Sequence, residues 1–140
     1  MRSVLVALLA IGLAGSAQAA SIEARLIRAS NETGKIDEPL KHIQPKLKKV
    51  FGYQSYQQIG VQKAPLQEKG ALRLNLGEGI VLLVSPKSLE KKKCMLDLEM
   101  YSGKAVLVKS TVRIAQGADV LIKGPEVGSA LLILSLGVTE

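Results

Sequence analysis

Apolar and polar positions alternate with period two through most of the second half of the chain, and that pattern predicts strands. Leu72, Leu74 and Leu76 alternate with Ala71, Arg73 and Asn75. Gly77-Glu78-Gly79 then marks a tight turn into the apolar run 80–84, which Ser85-Pro86 ends. Residues 94–101 place Cys94, Leu96, Leu98 and Met100 on one face, with Asp97 and Glu99 on the other. A turn at 102–104 leads to a long strand, 105–115, in which Val106, Val108, Ser110, Val112 and Ile114 share a face. A short strand at 119–123 follows, and Gly124-Pro125 with Gly128 reverses the chain into 130–138. That last run is apolar at almost every position, which suits a strand buried on both sides: Leu132, Leu134, Leu136 and Val138 turn to one layer, Leu131 and Ile133 to another.

The first half is more mixed. Residues 21–28 alternate well enough for a strand, ended by the small polar run 29–34, and 53–63 reads as a mostly polar edge strand. Between them, Asp37-Glu38-Pro39 has the composition of a helix start, with Asp37 as N-cap. Leu40, Ile43, Leu47, Val50 and Phe51 recur at helical spacing, with lysines filling the other side. Pro45 lacks the N–H that would bond Lys41, so a kink or a restart is expected there, with Gly52 closing the helix. The sum is a mainly β chain: an antiparallel β-sandwich or partly open barrel of about eight strands, with one short Pro-kinked helix over 37–51.

Residues 1–19 break this pattern. Arg2, the apolar stretch 4–14 and Ala17-Gln18-Ala19 form the three parts of a cleavable signal peptide, and the stretch is too short to span a bilayer. The expected mature chain, 20–140, is one domain in the periplasm or secreted, without a lipid-anchor cysteine after the cleavage site. Cys94 is the sole cysteine, so no intrachain disulfide forms, and its apolar register predicts a buried thiol.

Formal charge is +7, or +6 once Arg2 is removed (7 − 1). Outside the cytoplasm a basic surface meets acidic proteins and anionic envelope polymers. With no Trp, one Phe and three Tyr, platforms for base stacking are scarce, which argues against nucleic-acid binding. The sequence presents no catalytic constellation, cofactor motif or metal-ligand set: His42 is the lone histidine, and Asp97 and Glu99 fall on a solvent face.

The candidate interaction surface is therefore built from Lys41, Lys46, Lys48 and Lys49 on the helical segment and Tyr53, Tyr56 and Gln58 on the edge strand that follows. It predicts a non-enzymatic binding or assembly domain of the bacterial envelope, contacting a protein partner through a sheet edge or the helix face. The alternatives are a binder of anionic envelope polymer through the lysines and, third, a small hydrolase.

Two stretches within 79–125 resemble a known family. They are Leu83-Val84-Ser85-Pro86 and the segment from Gln116-Gly117 through Val120, Ile122 and Gly124 to Pro125, and the second is similar to strand-pair endings in the secretins, outer-membrane channels of bacterial secretion and pilus systems. The chain also resembles small bacterial secreted β proteins in general style. The resemblance implies a β domain of the envelope and carries over no functional residue.

Overall fold

In the computed structural model, residues 20–32, 34–67, 70–90 and 92–139 are described; the expected signal peptide, 1–19, lies outside them. Eight strands form two four-stranded antiparallel sheets: β1 (Ser21–Ser30), β2 (Ser55–Pro65), β3 (Leu72–Gly77), β4 (Ile80–Leu89), β5 (Lys93–Ser102), β6 (Ala105–Ala115), β7 (Asp119–Val127) and β8 (Ala130–Thr139). One sheet has the order β2-β1-β8-β7, the other β3-β4-β5-β6, and no strand among the described residues closes them into a barrel. The architecture is a β-sandwich with one short helix, as the alternation predicts.

The main core lies between the sheets. Ile22, Ala24 and Leu26 of β1 and Leu132, Leu134, Leu136 and Val138 of β8 meet Leu74, Leu76, Leu82, Val84, Leu96, Leu98 and Met100 from the facing sheet. A second, smaller core covers the outer face of the first sheet. There Ile27 and Ala29 of β1 and Leu131 and Ile133 of β8 pack with Leu40, Ile43 and Leu47 of the helical segment and with Tyr56. Strand β8 thus has apolar neighbours on both faces, and its unbroken run of apolar residues follows from that position.

The helical segment is split where the proline chemistry requires. A 3-10 helix spans Glu38–Ile43, and α1 spans Gln44–Phe51 with Pro45 in its first turn. Because Pro45 has no N–H to offer, the Lys41 carbonyl takes the Gln44 N–H instead, the tighter three-residue step. Gly52 ends α1 at φ 73°, donating its N–H to the Lys48 carbonyl at 3.0 Å. Asp37 does not cap the helix with its side chain. Its Oδ2 accepts the Gln58 N–H of β2 at 2.9 Å, which sews the start of the helical segment to the sheet edge.

Strand β2 ends at Pro65 rather than at 63, and three others run past the ends that turn residues predict. Strand β1 continues to Ser30, β4 passes Pro86, and β7 passes Gly124-Pro125. Both prolines sit at breaks in register, between Pro86 and Ser88 and between Lys123 and Glu126. Proline is tolerated at a bulge or where its missing N–H faces no partner. Strand β3 pairs with β4 only as far as Val84, so at Pro86 strand β4 is itself an edge. A third bulge corrects the face assigned to Val106. The register shifts between Met100 and Tyr101, Val106 pairs with Tyr101 on the outer face, and it is 54 % exposed, while Leu107 is the extra residue packed toward the core.

Candidate interaction surface

The lysines expected to form a surface are exposed, and they are engaged to different degrees. Lys41 Nζ lies 2.9 Å from Glu38 Oε1 one helical turn back, and Lys46 Nζ donates to the Asp119 carbonyl at 2.6 Å, tying the helix to β7. Lys48 and Lys49 are exposed without an ion pair among the described residues, followed by Val50 at 59 % exposure. A cationic tip with one apolar residue therefore closes α1.

The strand residues of that surface sit elsewhere. Tyr56 is fully buried in the smaller core, its hydroxyl donating to the Leu47 carbonyl at 3.1 Å and accepting the Tyr53 N–H at 3.0 Å. Burial raises its phenol pKa above the ordinary value. Tyr56 is thus the pin that holds α1 on the sheet, and Tyr53 beside it is half-buried. Gln58 is also half-buried, its side-chain oxygen accepting from Arg25, whose guanidinium also reaches Glu23 Oε1 at 2.7 Å. None of the three joins the lysines in an open patch, and Tyr53 lies before β2 rather than on it.

Strand β2 is an edge by sheet order, but much of that edge is in use. Tyr56 N–H donates to the Lys35 carbonyl at 2.9 Å and its carbonyl takes the Asp37 N–H at 3.0 Å, so the segment before the helix adds a short parallel bridge. Further along, Gly60 packs its bare backbone on the Leu76 carbonyl of β3, closing the two sheets along that side.

The opposite side is open. Strands β6 and β7 are the other two edges, joined by the turn at 116–118 and paired with each other nowhere. Next to the turn, Ile114 is fully buried and Gly117 N–H reaches the Val138 carbonyl at 2.8 Å. Away from it, Leu107, Val108, Ser110 and Val112 on β6 and Val120 and Ile122 on β7 are only half-buried, although the five aliphatic side chains pack on the main core. This seam was not legible in the sequence, because alternation places side chains on a face without telling which strand lacks a neighbour. Residues 116–125 supply the turn and most of β7.

Other reactive groups are dispersed. Cys94 is buried on the inner face of β5, and burial pushes its thiol pKa up. His42 is exposed on the 3-10 helix beyond the other sheet. Among the described residues, no group of three or more His, Cys, Asp or Glu side chains gathers, and no helix is long and apolar enough to cross a membrane. Compared with known proteins, the chain matches no family model, no curated protein and no solved structure.

Proposed function

We propose that the protein is an exported, non-enzymatic binding domain of the bacterial envelope that accepts an extended segment of a partner protein along β6. The observation that carries this reading is the open seam: a free edge strand, β6, beside half-exposed aliphatic residues contributed by both sheets. An added strand satisfies the unpaired backbone groups of the edge, and its alternate side chains complete the core. The signal-like residues 1–19 support placement outside the cytoplasm.

A second reading rests on the end of α1, where Lys48 and Lys49 stand exposed without an ion pair among the described residues, beside the exposed Val50: adhesion to an anionic envelope polymer. One experiment separates the two. Thr111→Pro removes an edge N–H from β6 while leaving the alternation of β6 with β5 intact. On the proposed reading, partner recovered with the purified protein from envelope extracts is lost with Thr111→Pro and retained with Thr111→Val and with Lys48→Gln/Lys49→Gln. Loss with the lysine pair and retention with Thr111→Pro favours the polymer reading. A monomeric protein that recovers nothing overturns both.

A further inference from the structure

The free edge of β6 carries a charge pattern as well as a vacancy for a strand, and the phase of that pattern can be derived. Gln116 N–H donates to the Lys92 carbonyl at 2.9 Å, and Lys93 pairs with Ala115, so the residues of β6 that bond β5 are Ile114, Val112, Ser110 and Val108. Lys109, Thr111 and Arg113 accordingly turn their N–H and C=O groups toward the open edge. Their side chains lie on the outer face of the sheet, opposite Glu99, Asp97 and Met95 of β5. Thr111 is spoken for, donating its hydroxyl to Asp97 Oδ1 at 2.6 Å, and Glu99 accepts the Tyr101 hydroxyl at 2.6 Å. Lys109 and Arg113 make no ion pair among the described residues, and β6 contains no acidic residue.

A strand added to this edge places one residue opposite Lys109, the next but one opposite Thr111, and the fourth along opposite Arg113. The residues between them face the seam, where Val108, Ser110, Val112, Val120 and Ile122 wait half-covered. We infer that the partner segment is an extended acidic peptide with carboxylates four residues apart and aliphatic side chains at the two positions flanking the centre, that is, acidic-aliphatic-any-aliphatic-acidic. The same two cations disfavour a second copy of this chain, because β6 paired with itself brings like charges onto one short ribbon. This inference rests on the strand-accepting reading of β6 and adds the chemistry of what is accepted.

The test titrates the purified protein with three fluorescent nine-residue peptides of sequence Thr-Val-X-Val-Thr-Val-X-Val-Thr, with X as Glu, Ser or Lys. The Glu peptide is expected to bind about tenfold more tightly than the Ser peptide, with the Lys peptide weakest, and the spread to shrink at 0.5 M salt. Lys109→Glu/Arg113→Glu should invert the order of the Glu and Lys peptides, and Thr111→Pro should abolish binding of all three, with circular dichroism confirming that both variants fold. Equal affinity for Glu and Ser peptides, lost with Thr111→Pro, overturns the acidic partner and leaves the strand-accepting reading standing. Binding of no peptide overturns both. Glu-peptide binding that survives Thr111→Pro places the anion elsewhere on the protein and overturns the inference.

Discussion

At Gly60 a β-carbon would stand 2.0 Å from the Leu76 carbonyl oxygen and 2.7 Å from its carbonyl carbon. The neighbour is backbone, so it has no rotamer to yield, and the two sheets would have to separate. Gly60→Ala is expected to cost about 3 kcal/mol by overpacking, read as a lowered urea midpoint. Gly103→Ala is the contrast. Gly103 adopts φ 60° with nothing within 4 Å of a β-carbon, so only the left-handed strain of about 1 kcal/mol applies. A similar loss in both variants would mean that β2 does not rest on β3. In the sequence the two glycines look alike, and Gly60 sits in a polar run that gives no sign of the close approach. Tyr56 carries the same lesson from the other side: the sequence places it on an interaction surface, yet it is buried and its hydroxyl is consumed by the Leu47 carbonyl and the Tyr53 N–H.

Pairs across neighbouring strands set what each element can present. Asp97 on β5 faces Thr111 on β6, and the Thr111 hydroxyl, followed by Lys87 at 3.4 Å, holds the carboxyl below the ordinary aspartate value of 3.8. A lowered native pKa means that the stability from this contact is present above about pH 3.8 and is lost as pH falls through the lowered value. Thr111→Val should therefore move the Asp97 titration back up toward 3.8, followed by carboxyl-carbon NMR; an unmoved titration would show that the charges of Lys87 and Lys109 rather than the hydroxyl set it.

Strand existence and, outside the bulge that turns Val106 outward, face were readable from alternation at this scale, and so was the split helix, because Pro45 dictates it chemically. Strand ends were less readable. Pro86 and Pro125 look like terminators, and each instead sits at a break in register, Pro86 where β4 has no β3 neighbour and Pro125 on the edge strand β7. The cationic side of β6 was visible as Lys109 and Arg113; that β6 is an edge depends on pairing between distant segments and leaves no mark in the local pattern.

Across the whole molecule the two sheets are built by different kinds of connection. The sheet β3-β4-β5-β6 is a meander of strands that are neighbours in sequence. The other sheet places the first and last strands side by side, with Ser21 opposite Thr139 and Ala29 opposite Leu131. One contact joins the sheets at the far end: Arg28 of β1 reaches Glu78 Oε1 in the β3–β4 turn at 2.6 Å, with Glu78 held at φ 53°. The pair is half-exposed, so its worth is no more than about 1 kcal/mol.

The adjacency of β1 and β8 has a consequence in time. A ribosome or a membrane translocase delivers the chain from its N-terminus, so β1 emerges first and must wait for residues 130–139 before its inner neighbour exists. Closing a loop of that length before any contact rewards it is the slow part of folding. The meander is expected to assemble first and the β1–β8 pair last, so that Leu98→Ala slows refolding whereas Leu134→Ala mainly speeds unfolding, as stopped-flow chevrons would measure. The reverse order would place the nucleus at the termini. A chain built this way leaves one side of its main core uncovered until its last strand arrives.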